Sequence, residues 1–326
     1  MYDVITIGSA TVDVFVRTKF YELLHCKSKE EVIAYPVGSK ILIEELNVTV
    51  GGGGTNTAVA LSRLGHKVAF IGKIGSGHNS RRVINNLKQE KVNTSLIVRS
   101  KNHRTGFSII LDSKNHDRTV LTFRGSNNDL KFNEVSLKKL KAKWFYFSSM
   151  IGTSFKTLEK LAIYADKNNI KIAFNISSYL AKKGPSYLGS ILKKVNILVL
   201  NKEEASILVG NDGIKNLLKK LHRLGPEIVA ITDGKRGVYV ICNNDFYYGR
   251  PNNVKVVETT GAGDAFASSF LSGIIRKNDI EFAISLGITN AQSVIQHHGA
   301  KTKLLTYNEA LRTMKKNPIK VIKKRL

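Results

Sequence analysis

Short runs of apolar residues alternate with longer amphipathic stretches along most of the chain. The apolar runs predict buried strands at residues 4–8, 68–72, 144–148, 171–175, 197–200 and 228–232. The amphipathic stretches predict helices near residues 56–64, 80–90, 154–168, 203–209, 213–223, 264–276, 280–297 and 307–316. This alternation is typical of an α/β fold, in which helices cover both faces of a mainly parallel sheet.

Two pairs of strand-like segments interrupt this pattern. Residues 12–18 and 37–50 form the first pair, and residues 104–112 and 118–124 form the second around a turn at 113–116. We interpret them as a small β lid that projects from the α/β body. No low-complexity linker or internal repeat divides the chain, so we expect a single domain over residues 1–326, with lid segments near 12–50 and 104–124.

Two further local features, a hairpin turn and a helix end, can be predicted from one or two residues each. Residues 236–250 predict a hairpin that turns at Asn243 and Asn244. Gly65 directly follows Leu64 and predicts the end of a helix before the next strand.

The composition is that of a globular protein with a sizeable core, because 42% of its 326 residues are hydrophobic. No apolar run approaches the roughly 18 residues of a membrane-spanning helix. The first residues lead directly into a predicted strand, so we expect no signal peptide. The two cysteines, Cys26 and Cys242, match no metal-binding or redox spacing, and a reducing cytoplasm is the expected setting.

The formal net charge of +26 raises the question of nucleic-acid binding. The lysines, however, are spread over nearly every predicted helix, and the main concentration is the tail at 315–325. No aromatic residues interleave with that tail, and no zinc, helix-turn-helix or RNA-binding signature occurs. We therefore interpret the charge as solvated surface that would also attract anionic substrates.

The segment from Glu258 to Phe266 reads Glu-Thr-Thr-Gly-Ala-Gly-Asp-Ala-Phe and connects a predicted strand at 254–257 to an apolar helix. Small residues at such a junction leave backbone N–H groups uncovered, and the helix N-terminus adds partial positive charge. That geometry can hold a transferring phosphoryl group, while Asp264 in the first turn can act as a base toward a hydroxyl. A glycine-rich turn capped by an aspartate explains the same nine residues equally well.

A second glycine-rich segment, residues 51–58, reads Gly-Gly-Gly-Gly-Thr-Asn-Thr-Ala and opens a predicted helix. Consecutive glycines let the backbone approach a ligand closely, and Asn56 offers both a donor and an acceptor to a hydroxyl. Alone, such a run is also typical of a flexible loop with an ordinary helix cap. The sequence has no G-x-x-x-x-G-K-[ST] motif, and Gly-Ser-Ala-Thr at 8–11 argues against a dinucleotide-binding fold.

Together, these two segments resemble the signatures of the ribokinase-like sugar kinases, also called the phosphofructokinase-B family. There the glycine-rich run with its Asn lies near the N-terminus and a G-A-G-D signature lies in the last third, in the order and separation found here. The resemblance covers nearly the whole chain. It implies an α/β three-layer sandwich with a mainly parallel central sheet and a small β lid. It also implies ATP-dependent phosphorylation of a hydroxyl on a sugar or sugar-like acceptor.

The resemblance implies a role for each matching position around the acceptor. Asp264 would be the base that takes the proton from the acceptor hydroxyl. The amides of Gly261, Ala262 and Gly263 would form the anion hole for the γ-phosphate. The residues implied to bind the sugar are Asp13, Gly52, Gly53 and Asn56.

On the nucleotide side, Asn201 and Glu204 match the family's N-x-x-E motif, which organises Mg²⁺ and the phosphates of ATP through water. The same pattern is also a helix-capping pattern, so a structural role fits these residues as well. The residues that match the nucleotide-binding turn are Thr232, Gly234 and Gly237. The family usually has Asp at the position of Glu258, where it helps bind a monovalent cation, which makes Glu258 the candidate K⁺ ligand.

The sequence leaves several acceptors open, since ribose, fructose, a keto-deoxy sugar acid and a nucleoside all suit this fold. Gly53 stands where ribokinases and phosphosugar kinases often have a Lys, which favours a free sugar or a nucleoside, and a nucleoside kinase of the same family is the alternative enzyme. A non-catalytic basic protein that binds nucleic acid on a kinase-like scaffold is a more remote alternative. By resemblance, the lid often serves in dimerisation, so a homodimer is expected.

Overall fold

The computed structural model describes residues 1–19, 21–25, 31–112 and 118–325. The strands in chain order are β1 (Tyr2–Ile7), β2 (Thr11–Arg17), β3 (Glu22–His25), β4 (Glu31–Ala34), β5 (Glu45–Gly51), β6 (Val68–Ile71), β7 (Lys73–Ile74), β8 (Val98–Arg99), β9 (Gly106–Asp112), β10 (Arg118–Phe123), β11 (Ala142–Phe147), β12 (Lys171–Asn175), β13 (Ile197–Asn201), β14 (Ile228–Thr232), β15 (Val238–Cys242), β16 (Asp245–Gly249) and β17 (Val321–Arg325). The α-helices are α1 (Gly53–Arg63), α2 (His78–Gln89), α3 (Thr153–Lys167), α4 (Ser178–Ala181), α5 (Gly184–Leu192), α6 (Lys202–Val209), α7 (Ile214–His222), α8 (Ala262–Lys277), α9 (Ile280–Ile295) and α10 (Tyr307–Lys316).

The main sheet has nine strands in the order β17-β16-β15-β14-β13-β12-β11-β1-β6. Neighbouring strands are parallel from β6 to β14, and β15, β16 and β17 continue the sheet in antiparallel orientation. The parallel strands are nearly continuous apolar runs, such as Ile-Leu-Val-Leu in β13, because both of their faces are buried. One apolar cluster packs α3 to α7 on one face, and another packs α1, α2, α8 and α9 on the other. The predicted three-layer α/β architecture is therefore confirmed.

A second sheet, which we call the small sheet, has the order β10-β9-β2-β5. Strand β2 is antiparallel to β5 and parallel to β9, so the two predicted pairs of strand segments come together in one sheet. The predicted strand at 37–50 is longer than the observed one, since only β5 pairs with another strand. Residues 37–44 lead into β5 without forming a strand. The turn predicted at 113–116 lies outside the described residues.

The predicted strand at 254–257 is wrong, although its residues are mostly β-branched. The amides of Val257 and Glu258 both donate to the carbonyl of Ile295, at 2.8 and 3.1 Å, so the segment packs against the end of α9 instead of a strand. Val256 is correspondingly exposed. Strand propensity is overridden here by these hydrogen bonds to the end of α9.

Several elements were not predicted from the apolar pattern, namely the hairpin β3–β4, the short helices α4 and α5, and strand β17. The charges of β17 hide its strand pattern, because a basic tail is typical of a chain exposed to solvent. In the structure β17 pairs with β16, and Lys323 forms a 2.8 Å ion pair with Asp245. The predicted β15–β16 hairpin is confirmed, with Asn243 at the turn in the left-handed region at φ 53°. Among the described residues, no helix is both long and apolar enough to cross a membrane.

Candidate active site

The glycine-rich segment at the start of α1 packs against the loop that follows β1. Gly52 has a φ of 98°, and a Cβ there would lie 2.6 Å from the carbonyl oxygen of Ser9. The amide of Gly53 donates to the Ser9 hydroxyl at 3.2 Å, and the amide of Gly54 donates to the Ser9 carbonyl at 3.1 Å. These contacts hold the N-terminus of α1 at the carboxyl end of β1, next to the edge strand β6 of the main sheet.

Asp13 lies on β2 of the small sheet and faces this segment. A Cβ on Gly51 would lie 1.7 Å from Oδ2 of Asp13, so the carboxylate occupies the space that the glycine leaves free. The residue is only 8% exposed, and burial raises the pKa of its carboxyl, against hydrogen bonds from Thr11 and Ser108 that lower it. Within the described part of the chain, the buried Oδ1 has no hydrogen-bond partner. Asp13 therefore has a free acceptor directed into a water-poor site.

Asp264, in the first turn of α8, lies beside Asn56, in the first turn of α1. The Nδ2 amide of Asn56 donates to Oδ2 of Asp264 at 2.9 Å, although the two residues are 208 positions apart. The Oδ1 atom of Asn56 is buried and has no partner among the described residues. Burial raises the pKa of Asp264 to about 6, with the hydrogen bond from Asn56 and the charge of Lys301 opposing that shift. Asp264 is thus ionised at neutral pH, but more basic than an ordinary aspartate.

The predicted anion hole lies where α8 begins. Gly261 precedes the helix with a φ of 81°, and a Cβ there would lie 2.4 Å from the carbonyl oxygen of Ala300. Gly263 faces open space, since a Cβ there would meet no atom within 4 Å. The amide of Ala262 makes a 3.2 Å bond to the carbonyl of Thr259. The start of α8 therefore presents Gly263 and the positive end of the helix dipole to an open surface, while the Ala262 amide is bound within the turn.

Two residues in or beside this site were not predicted from the sequence. A Cβ on Gly53 would lie 2.3 Å from Oγ of Ser148 and 3.6 Å from Oδ1 of Asp264, so both side chains face Gly53. Lys301 follows α9, and its Nζ donates to Oδ1 of Asn86 at 2.9 Å. A serine after a strand and a lysine in a loop belong to no motif, and no sequence signal could have identified either.

On the nucleotide side, Asn201 and Glu204 cap the N-terminus of α6. The Asn201 side chain accepts from the Glu204 amide, and Glu204 accepts from the Asn201 amide, both at 2.8 Å. The capping alternative is therefore present in the structure. Burial raises the pKa of Glu204 to about 7, and the charges of Glu203 and Asp264 contribute in the same direction. The Glu204 carboxylate thus lies within electrostatic range of the candidate base.

The predicted nucleotide-binding turn follows the neighbouring strand. Thr232 ends β14 beside Asn201 at the end of β13, because the two residues are paired in the parallel ladder. Gly234 has a φ of 53° and faces open space, whereas Gly237 has a φ of 118° and lies against the carbonyl of Gly249. The structure thus brings the N-x-x-E motif and this turn to adjacent strand ends.

Glu258 is 8% exposed, and its Oε2 atom accepts from the amide of Gly299 at 2.8 Å. Its Oε1 atom is buried and has no hydrogen-bond partner among the described residues. His298 lies 3.8 Å from Oε2. Within the described ranges, no three His, Cys, Asp or Glu side chains converge as a metal-binding group.

The geometry brings every predicted acceptor residue to one place and the predicted nucleotide residues to an adjacent one. Buried carboxylates, an open helix N-terminus and backbone held close by glycines suit transfer of a charged group to a hydroxyl, with a base beside the acceptor oxygen.

Comparison with known proteins gives concordant results. The pfkB family carbohydrate kinase domain matches residues 21–306. An uncharacterized sugar kinase of Archaeoglobus fulgidus is 29% identical over 251 residues, which cover 76% of this chain and 98% of the relative. A ribokinase of Haemophilus influenzae is 27% identical, covering 86% of this chain and 94% of the relative.

Solved structures share the fold. A nucleoside kinase of Methanocaldococcus jannaschii superposes with a TM-score of 0.81 at 21% identity, over 97% of this chain and 99% of that one. An E. coli structure in complex with ATP and Mg²⁺ has a TM-score of 0.81 at 17% identity, over 97% of this chain and 100% of that one.

Proposed function

The chain belongs to the pfkB family of carbohydrate kinases, and on that premise we propose that it transfers the γ-phosphoryl group of ATP to a hydroxyl of a sugar or sugar-like acceptor. The observation that carries this proposal is the 2.9 Å hydrogen bond between Asn56 and Asp264. It joins the two glycine-rich segments and sets a base beside free hydrogen-bonding atoms and an open helix N-terminus.

The acceptor would lie over the glycine run, with its hydroxyls on Asp13, Gly52, Gly53 and Asn56. The orphaned Oδ1 atoms of Asp13 and Asn56 support this placement, because buried acceptors of this kind are costly unless a ligand satisfies them. One further hydroxyl would point at Asp264. Ser148, which faces Gly53 together with Asp264, would add a contact to the same hydroxyl or to the incoming phosphoryl group.

Asp264 would take the proton of this hydroxyl as its oxygen attacks the γ-phosphorus. The new P–O bond forms while the bond from the γ-phosphorus to the bridging oxygen breaks, and ADP leaves with that electron pair. The proton then passes from Asp264 to solvent. A pKa of about 6 suits this task, because the carboxylate is ionised at neutral pH yet accepts a proton more readily than an exposed aspartate.

The phosphates of ATP would lie over the start of α8, where the amides of Gly261, Ala262 and Gly263 would form the anion hole once the Ala262 amide gives up its bond to Thr259. The nucleoside part would lie on the turn that contains Thr232, Gly234 and Gly237. Mg²⁺, when bound, would neutralise charge on the phosphates. Glu204 fits a ligand that acts through water, because backbone amides hold its carboxylate beside the site.

A monovalent cation such as K⁺ would be held near Glu258. Its buried Oε1 atom supports this, since it has no partner among the described residues. Activity that rises with K⁺, and a Glu258→Gln variant that loses this response while keeping its activity without K⁺, would support the assignment.

We further propose that the small sheet is a lid on a single catalytic domain and also forms a dimer interface. The face that includes Leu46, Val48, Leu121 and Phe123 exposes each of these side chains by 40% or more. These side chains share one face of the sheet, and a second copy of the chain would cover them. A monomeric mass by light scattering at working concentration would contradict the dimer.

A nucleoside acceptor is the second candidate. A cavity of about 310 Å³ lies beneath the small sheet and is lined by Phe15, Asn47, Ile110 and Glu258 among others. Its aromatic and aliphatic side chains would suit a planar base attached to a ribose on Asp13.

The experiment that tests the proposed function is ADP release with Mg-ATP and a panel of acceptors that includes free sugars, sugar acids, sugar phosphates and nucleosides. We expect turnover with at least one acceptor and its loss in Asp264→Ala. Turnover of cytidine or adenosine and of no free sugar would favour the second candidate. An Asp264→Ala enzyme with near-full turnover would overturn the assignment of the base.

A further inference from the structure

Lys301 lies beside the acceptor site, in a cleft that also contains Thr49, the β5 partner of Asp13, and it has no role in the mechanism above. It lies in the loop between α9 and α10, which other contacts hold in place. Arg63 on α1 donates to the carbonyl of Leu304 at 3.1 Å, and Ala300 packs against Gly261. The loop that carries Lys301 is therefore fixed relative to both glycine-rich segments.

The ammonium of Lys301 lacks a close counter-ion. Its hydrogen bond at 2.9 Å goes to the neutral side chain of Asn86, although an ammonium carries three donors. Among the described residues, no carboxylate lies within ion-pair distance of Nζ. The charged groups that act on it from a distance are Asp13, Asp264, Glu90 and Arg63.

Burial is the largest influence on this lysine and lowers its pKa to about 7, while the charge of Asp13 is the first influence that raises it. A partly buried ammonium without a paired anion is an unfavourable arrangement. An anionic ligand that entered the site would supply the missing partner and restore the charged form.

The space beside Lys301 is basic as well. A cleft of about 730 Å³ between α2, β5 and this loop is lined by Lys301 together with His78, Arg81 and Arg82. The carboxylate in its lining, Glu90, is already bound by Arg63 at 2.8 Å between Nε and Oε2. Positive charge is therefore in excess in this cleft.

We propose that Lys301 binds an anionic group on the acceptor, a carboxylate or a phosphate, and so selects acidic sugars over neutral ones. The inference rests on the proposed function and names the acceptor class. The hydroxyls of the acceptor lie on Asp13 and Asn56, and its anionic end reaches Lys301 and the basic cleft. The cation absent from the glycine run at Gly53 is thus supplied by a distant part of the chain.

The test compares matched acceptors in wild type and Lys301→Met. Initial rates are measured with Mg-ATP and fructose, gluconate, 2-keto-3-deoxygluconate and fructose 6-phosphate, and binding of each is measured by calorimetry without ATP. Since charged hydrogen bonds carry this selectivity, Lys301→Met should raise the KM of acidic acceptors roughly 10- to 100-fold and change kcat much less. The acidic acceptor that binds best identifies the group as carboxylate or phosphate.

Two further variants separate binding from structure. Lys303→Met removes an exposed charge from the same loop and should leave every KM unchanged. In wild type the affinity for acidic acceptors should weaken above about pH 7 as Lys301 loses its proton. Lys301→Arg should keep the preference and lose that pH dependence, because arginine stays charged.

The outcomes distinguish the two proposals. Acidic acceptors that bind through Lys301 without being phosphorylated would support this inference and contradict the kinase assignment. A neutral sugar or nucleoside with the highest kcat/KM, unaffected by Lys301→Met, would leave the kinase standing and overturn the inference. A chain that binds no acidic acceptor in either assay would also overturn it.

Discussion

The acceptor half of the site, built around Asp13, Asn56 and Asp264, differs from the nucleotide half, built around Asn201, Glu204 and the turn after β14. In the acceptor half the residues come from distant segments and leave buried atoms without partners. In the nucleotide half, Asn201 and Glu204 are neighbours in sequence, and their capping box satisfies both of its own amides.

The two halves differ in what holds their side chains in place. The capping box stabilises a helix whether or not a ligand is present, so its geometry alone cannot distinguish structure from function. The orphaned oxygens of the acceptor half lower stability until something binds them. An incomplete hydrogen-bond network is therefore better evidence of a ligand than a complete one.

The largest expected effect is that of Asp264→Asn in the acceptor half. We expect kcat to fall by about 10²- to 10⁴-fold, the usual contribution of a general base. The same change should stabilise the fold at pH 7 by roughly 1 kcal/mol, because a buried charge is removed and the hydrogen bond from Asn56 can be kept. Steady-state kinetics and thermal unfolding measure the two effects on one sample. A variant that is both inactive and less stable would argue that Asp264 is structural.

The acid limb of the rate profile is the next largest effect. Because burial raises the pKa of Asp264 to about 6, kcat/KM should fall roughly tenfold per pH unit below that value as the base becomes protonated. For stability the sign is reversed: the folded chain binds this proton more tightly than the unfolded chain, so this group favours folding more as pH falls from about 6 toward 4. An activity that stays flat to pH 4.5 would contradict the assignment.

Gly51→Ala probes the contact between the glycine run and the small sheet. The new methyl would occupy the position of the Asp13 carboxylate, so Asp13 must move. We expect the acceptor KM to rise by about tenfold, the scale of one hydrogen bond to a charged group, with KM for ATP unchanged. Gly189→Ala is the matched control, because a Cβ there meets nothing within 4 Å in the middle of α5. Equal effects of the two variants would remove Asp13 from the acceptor site.

The smallest effect separates the two roles of Glu204. The chain has a second capping box, Thr306 with Glu309, at the start of α10, outside the candidate site. Glu309→Gln should cost about 1 kcal/mol or less in unfolding free energy, because its hydrogen bonds to Thr306 favour the charged carboxylate. Glu204→Gln should cost less than that or nothing, because burial already disfavours the charged form of Glu204. Only Glu204→Gln should also raise the Mg²⁺ concentration needed for half-maximal activity. If both variants leave that requirement unchanged, Glu204 is a cap and nothing more.

The sequence sufficed for the parts of the molecule that local patterns encode. The buried strands, the Asn243 turn and both glycine-rich segments are short-range signals. Lys301 and Ser148 were not predicted because their importance depends on the side chains that surround them in the fold. No spacing along the chain records those neighbours. Strand β17 was missed and the strand at 254–257 was wrongly predicted for a related reason. Whether such a segment forms a strand depends on a neighbouring strand with which it can pair.

The hydrogen bond from Asn56 to Asp264 also bears on how the chain reaches its native state. Its two ends belong to early and late parts of the polypeptide, so a long loop must close before the bond can form. Local helices and the β15–β16 hairpin need no such closure and can form on the microsecond scale. During refolding, secondary structure should therefore return well before catalytic competence, and turnover would time the final docking of α8 against α1.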